Sequence, residues 1–448
     1  MINENFLLNL KTTSLHSLKM FVFGLALICG WLTFPCLSES ADAADDSSPT
    51  RWARFRGPNG AGIATGQNLP KDLKPEHREW VVDLPGLGHA APAIWDDFLF
   101  VTSAIDEGAV RYLYCLDAIT GEERWVRTLS MNKSAKHIKS SWASSTPVTD
   151  GEFVYVAFAD AEQYLLSAYD FAGELQWRED LGSFESQHGQ GTSPVLYEDL
   201  VILANDQDGP SSVVAFEKAT GKMAWTTLRE SRRVSYATPL MIPPAGGKGL
   251  PQLIVACGAM GLTSLNPRTG HMHWKTGEFS HRTVGSPVYG EGVLVQCCGG
   301  GGQGKYMVAI KPHDAPNSDD PFEVLYEHKR RLPYVPTPII YEGHLYLCND
   351  GGIANCLNVE TGENVWTERI GGNYSSSPVC VDGMIYMLSE DGEIVVISAS
   401  PDYKLWGRLK LDDHSHATPA VANGRLYLRT FHRLTSIHHE NSSVDDSN

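Results

Sequence analysis

A short phrase recurs eight times along this chain: a small or hydroxyl residue, then proline, then an aliphatic or small residue. Its prolines are Pro92, Pro147, Pro194, Pro239, Pro287, Pro338, Pro378 and Pro419, and successive gaps run from 40 to 55 residues. Repeats of roughly 20–50 residues build solenoids, propellers or arrays. The period therefore constrains the architecture before any other feature does. It also gives most prominent residues a structural role, so function has to be sought where the repeats differ.

One unit, residues 144–181, shows what repeats. SSTPV is a short apolar run. An Asp150-Gly151 turn leads into a second run with period-two alternation, FVYVAF. YLLSAYD is a third, and ELQWREDL, after the turn Phe171-Ala172-Gly173, is a fourth. Four short strands joined by glycine turns make one antiparallel blade. No segment of the repeat region carries a 3.6-residue apolar period, so the sequence predicts little helix.

A second mark locks the unit. After the third strand comes a turn, often Thr-Gly, and then an aromatic residue: Trp125, Trp177, Trp225, Trp274, Trp366 and Trp406, with Tyr326 standing in the fifth unit. Glycine supplies positive φ at such a turn without steric cost. A large aromatic at one fixed place per unit suits a wedge between neighbouring blades better than a stack for a ligand.

The eighth unit has three strands and stops. The missing fourth strand is at the other end of the chain, as EWVVDL with Trp80. Trp80 lies 12 residues before Pro92, and the same step is 12 at Trp366 and Tyr326 and 13 at Trp274 and Trp406. The expected fold is all-β: an eight-bladed propeller of four-stranded antiparallel blades, closed by residues 79–84 completing the last blade. Such closure leaves no long open sheet edge.

The flanking segments bound the setting. Lys11 and Lys19 precede an apolar stretch, residues 21–34, and Ala41-Asp42-Ala43 offers a cleavage motif. This pattern predicts a signal peptide over 1–43, against the alternative of an uncleaved anchor helix. A lipoprotein signal ending at Cys36 fits poorly, because Phe34-Pro35 precedes it. The remaining expectations are an extension over 44–76, the propeller over 77–440, a disordered acidic tail over 441–448, and no membrane span in the mature chain. The net charge of −17, with no long basic run, argues against a nucleic-acid partner. The seven cysteines beyond the signal are odd in number, irregularly spaced and without a C-x-x-C pair, which excludes a disulfide scaffold and a zinc ribbon.

The phrases LYCLDAITGEERW, VVAFEKATGKMAW and ANCLNVETGENVW resemble the tryptophan-docking repeat of the pyrroloquinoline quinone (PQQ) propellers. That group includes quinoprotein alcohol dehydrogenases and BamB-type outer-membrane assembly factors. The segment Arg54-Phe55-Arg56-Gly57-Pro58-Asn59-Gly60 is also similar to a secreted subgroup without assigned activity. The resemblance covers about residues 52–440. In its dehydrogenases, adjacent disulfide-bonded cysteines, a calcium ion and an aspartate base would surround the quinone. Only Cys297-Cys298 matches here, and strand-end cysteine needs no chemistry. No calcium-ligating set can be carried over by position. The resemblance thus implies a fold more strongly than an activity.

Other motifs are weaker. GGGGQGKY (299–306) imitates a phosphate loop, but Tyr306 stands where Ser or Thr should bind magnesium, and the context is a hairpin. His414-x-His416 could begin a metal site but has no third ligand. The unrepeated loops leading into each blade, with the turns between second and third strands, gather at one mouth of a propeller channel. They carry His89, Trp142, His188, Tyr236, Arg282, Tyr334, Tyr374 and His416. Two readings of these loops stand: a recognition surface, or polar residues beside a wet channel. The sequence points to an exported, periplasmic or extracellular, non-catalytic propeller that binds an envelope or secreted protein, peptide or glycan. One form of it is a BamB-like scaffold without cofactor or metal. The alternative is a PQQ- and calcium-dependent oxidoreductase with Cys297 and Cys298 against the quinone.

Overall fold

The computed structural model describes residues 48–244, 249–314 and 316–438. The expected signal segment and acidic tail lie outside the described residues. Eight antiparallel four-stranded sheets follow one another along the chain. Blade 1 comprises Ala93–Trp95, Phe98–Ile105, Val110–Asp117 and Glu123–Ser130. Blades 2 to 7 repeat that order, with first strands opening at Val148, Val195, Leu240, Val288, Ile339 and Val379. Blade 8 holds Ala420–Ala422, Arg425–Arg429 and Arg433–His438, and its outer strand is Arg78–Asp83, antiparallel to Arg433–His438. The closing strand thus begins one residue earlier than the sequence spacing suggests.

Middle strands are covered on both faces and so read as unbroken apolar runs, as Leu200–Asn205 does. Outer strands have one covered face and alternate: along Arg78–Asp83, Trp80 and Val82 are half-buried while Glu79 and Val81 are exposed. The apolar clusters lie between blades. One of them combines Tyr155 and Leu166 of blade 2 with Val201 and Phe216 of blade 3.

The recurrent proline phrase has a direct structural cause. Each proline sits immediately before the first strand of its blade, and the residue before it forms a belt. Ala91 donates its backbone N–H to Thr146 Oγ1, Thr146 to Ser193 Oγ, and Ser193 to Thr238 Oγ1, at 2.9–3.3 Å. The chain of bonds continues from Thr238 to Ser286, Thr337, Ser377 and Thr418, at 2.9–3.0 Å. Proline biases the preceding residue towards an extended conformation, and its hydroxyl receives the neighbouring blade's N–H. Seven links join the eight blades, and the series stops at Ala91, which has no hydroxyl.

The aromatic wedges form a second, outer set of links. Trp80 donates its indole N–H to Ile119 O, Trp125 to Phe171 O, Trp177 to Lys218 O, Trp225 to Pro267 O and Trp366 to Ser400 O, while the Tyr326 hydroxyl reaches Val359 O. Each acceptor lies in or beside the turn of the next blade. The turn glycine closes on the same ring: a Cβ at Gly270 (φ +71) would meet Trp225 at 2.4 Å. The Thr-Gly step therefore answers both a positive φ and a ring lying against it. Two wedges depart from the pattern. Trp274 packs against the Phe322 ring and bonds Gln252 Oε1 of its own blade at 2.8 Å. Trp406 precedes blade 8, which has no such turn, and is covered instead by Lys71 and Lys404, whose amines lie over its ring.

Residues 51–64, set apart in the sequence as an extension, are woven into the ring. Arg51–Trp52 pairs with the first strand of blade 1, and Ile63–Ala64 pairs in parallel with that of blade 7. Between them the RFRGPNG segment crosses the base of the channel. Arg54 reaches Pro239 O of blade 4, and Asn59 exchanges two hydrogen bonds with the Met241 backbone. Arg56 is wholly buried and donates to five carbonyls: Gly60, Ala61, Thr337, Pro338 and Pro378. Those bonds match the five N–H groups of a guanidinium. Burial lowers its pKa to about 9, so it remains charged at neutral pH. A Cβ at Gly57 (φ +63) would meet the Trp52 ring at 2.4 Å, so the segment's glycine is required there.

Two stability outcomes follow from these links. Trp225→Ala removes a buried wedge and costs about 3–5 kcal/mol, measured by denaturant unfolding; a loss near zero would show that the ring does not join the blades. Arg56→Ala strands buried carbonyls and costs about 3 kcal/mol or more. Arg56→Lys recovers part of this, because an ammonium offers three donors rather than five. Equal loss in the two variants would contradict the carbonyl cradle.

Candidate functional site at the channel mouth

The segment across the base leaves the channel with one wide opening. Phe55 forms part of the floor of a cavity of about 1000 Å³. Its wall is the hydroxyl belt: Ser193, Thr238, Ser286, Thr337, Ser377 and Thr418 all line it. Its rim is built from the unrepeated loops. Of the eight rim residues expected from sequence, His89, His188, Tyr236, Arg282, Tyr334 and His416 line the cavity. Trp142 and Tyr374 do not. Trp142 braces the 131–142 loop from behind, donating to Ser134 O at 2.7 Å with Lys136 over its ring. Tyr374 is 1% exposed and belongs to the core between blades 6 and 7. Both are large enough to anchor a loop, and sequence position alone does not separate anchoring from lining.

The lead-in to blade 2 includes a long loop over 131–142. It carries His137 and Lys139 to the cavity, and Lys139 Nζ reaches Glu390 Oε1 of blade 7 at 2.7 Å. Glu390 also accepts from Ser375 Oγ. His137 lies with His188 of the next lead-in, ring centroids 4.7 Å apart. A second histidine pair, His89 and His416, sits at 4.6 Å with Phe431 against both rings.

Two acidic residues complete the rim, and sequence reasoning missed both. Asp208 accepts backbone N–H groups from Val234 and Gln187, and Asp350 accepts them from Tyr334 and Val335. They stand in turns between second and third strands, the other loops expected at this mouth. Burial raises the Asp350 pKa against the pull of those N–H groups. Arg282 stands close to His188, Tyr236 and Tyr334; burial, and then this guanidinium, lower the His188 pKa. Gly299 to Gly302 of the imitation phosphate loop also line the cavity, at the end of a hairpin as expected.

The family profile described as outer membrane protein assembly factor BamB matches residues 112–317 and 332–447. The chain belongs to that family. It is 23% identical over 315 residues to the BamB of Yersinia pestis and 21% over 309 to that of Moranella endobia, each match covering 69% of this chain. It spans 65% of the length of both relatives. The structure of BamB from Moraxella catarrhalis superposes with a TM-score of 0.57 at 14% identity, covering 81% of this chain and 98% of that one. The quinohemoprotein alcohol dehydrogenase of Comamonas testosteroni gives 0.56 at 12% identity, covering 88% and 81%. At these identities the superpositions speak for the fold alone.

Within this BamB-family propeller the cysteine pair is not arranged as a quinone site would need. Cys297 and Cys298 are consecutive in Val293–Gly299, so their side chains take opposite faces of the sheet. Cys297 packs in the core between blades 5 and 6, and Cys298 in that between blades 4 and 5. Both are buried free thiols, and burial pushes Cys298 up to about 11 and Cys297 higher still. Neither lines the cavity. His414 Nδ1 bonds Glu390 O at 3.0 Å, and no group of three metal-ligating side chains converges among the described residues.

The His89–His416 pair makes stability depend on pH. Burial lowers the pKa of both imidazoles, and around His89 the facing groups His416, Lys136 and Arg429 are all basic. The folded state favours neutral rings, so the unfolded chain binds more protons below the ordinary histidine pKa of about 6.5. Stability is full above that value and falls as the pH drops through it towards the folded pKa. Melting temperature should fall between about pH 7 and about pH 5, and fall less in His89→Phe; identical pH profiles would exclude this contribution.

Proposed function

We propose that this protein is a non-catalytic, exported propeller that serves envelope assembly by holding a protein segment at the channel mouth. One observation carries the reading: the channel is stopped at its base by a dedicated segment and opens at the other end into a wide cavity with an uneven rim. Ligands therefore approach from a single face, which suits a recognition surface on a rigid scaffold. Membership of the BamB family supports an outer-membrane assembly role and a protein partner. The apolar stretch and cleavage motif near the N-terminus support export. The separation of Cys297 from Cys298 favours a scaffold over a quinoprotein dehydrogenase.

The test is made in the host cell. Loss of the protein should lower the levels of outer-membrane β-barrel proteins. A photo-crosslinker in place of Gln187, an exposed cavity residue, should capture a component of the assembly machinery. Unchanged levels without a cross-link would overturn the reading. Purified protein given PQQ and Ca²⁺ should show no bound-quinone absorbance and no dye-linked alcohol oxidation; both signals together would establish the dehydrogenase instead.

A further inference from the structure

The hydrogen-bonding balance of the cavity is one-sided. Among its carboxylates, each oxygen of Asp208 and Asp350 already accepts a backbone N–H. Glu390, just behind the rim, is held by Lys139 and Ser375. The cations are less fully matched. Neither Arg233 nor Arg282 stands in an ion pair among the described residues, and the buried Nε of Arg282 has no hydrogen-bond partner. The belt adds donors of its own. Each hydroxyl from Ser193 to Thr418 accepts an N–H from the neighbouring blade, and none donates its own proton to a protein acceptor among the described residues. A ring of O–H donors therefore surrounds the channel, and two rim guanidinium groups have no carboxylate partner among the described residues, in a chain whose net charge is −17. Donors outnumber the free acceptors of this cavity, and a carboxylate supplies acceptors in the planar geometry that arginine matches with two parallel bonds.

The rim says what carries the carboxylate. Ile138, between the cavity residues His137 and Lys139, is 83% exposed. Tyr236 and Tyr334 also line the cavity. A small anion has no use for an exposed isoleucine or for a cavity of this volume; a polypeptide with apolar side chains beside its carboxylate uses both. We infer that the mouth binds a carboxylate-bearing polypeptide segment, its carboxylate held by Arg282 and Arg233 above the hydroxyl belt and its apolar side chains set against Ile138 and the tyrosines. This inference rests on the reading of the mouth as the binding face.

The test uses the purified mature chain and short fluorescein-labelled peptides, read by anisotropy. One peptide carries Leu and Glu; in its companion each Glu is replaced by Gln. Both are made with a free and with an amidated C-terminus. The free-ended Glu peptide should bind, and binding should weaken as NaCl rises, because exposed charges are screened. Arg282→Gln should weaken it about tenfold, equivalent to about 1.4 kcal/mol, with an unchanged unfolding curve. Arg233→Gln, at an exposed position, gives a second reading should Arg282→Gln fail to fold. Loss of binding on amidation assigns the terminal carboxylate; binding retained by the amidated Glu peptide assigns side-chain carboxylates. Equal binding of the amidated Gln peptide, or wild-type affinity in both arginine variants, overturns the inference and leaves the scaffold reading standing. Absence of binding by every peptide also overturns it. Quinone binding with alcohol oxidation, and no peptide binding, overturns both.

Discussion

Seven of the eight blades give one backbone N–H to a hydroxyl of the next, and the geometry of the channel depends on that exchange. The bond fixes the height and rotation of neighbouring first strands where blades crowd around the axis. It uses the residue before proline, whose conformation the proline already restricts, so little further ordering is needed to make it. It also turns the inner wall of the channel into a row of hydroxyls. A packing solution at the axis thereby sets the chemistry of the cavity at the channel mouth. The single missing hydroxyl, at Ala91, falls where blade 8 meets blade 1, and that seam is held by other means: the strand Arg78–Asp83, and Trp80 reaching Ile119.

The outer links answer a different problem. A blade widens away from the axis, and a large ring at one position per unit fills the growing gap. The glycine of the next turn lets that ring approach the backbone, and the indole N–H finds the carbonyl that the turn exposes. Where the next blade lacks the turn, the partner changes rather than the wedge. Trp274 turns to Gln252, and Trp406 is covered by lysine side chains. Both exceptions are visible in sequence as irregular or missing turns, although the substitute partners are not.

The segment at the base and the loops at the mouth divide the channel into a structural end and an open end. Arg56 satisfies carbonyls at the start of blades 6 and 7 that the short first strands leave without ladder partners. This closure directs any ligand to the other face. There the lead-in loops carry histidines, tyrosines and Arg282, and the turns between second and third strands carry carboxylates already occupied by backbone. The excess of donors over acceptors at that face is a property of the assembled rim and not of any one loop.

The blade count, the four-strand unit, the wedge positions and the closure by an N-terminal strand were legible in the sequence, because each follows from a local pattern repeated at fixed spacing. Six of the eight rim residues named from the loops line the cavity for the same reason: a lead-in loop can only end at the mouth. Trp142 and Tyr374 fell in the same loops yet serve the core, since the direction of a side chain within an irregular loop is set by what packs behind it. Phe55 and the Arg56 cradle left no repeat to read. Their partners are hundreds of residues away in sequence, and which carbonyls meet at the channel base is known only once the ring has closed. The separation of Cys297 from Cys298 lies between these cases. Strand alternation by itself puts the two sulfurs on opposite faces, and tertiary packing decides that both faces are dry interblade core and that neither is the cavity. Sequence thus determined the architecture, which depends on local periodicity. Tertiary structure decided the site, which depends on where eight unequal loops and one N-terminal segment converge.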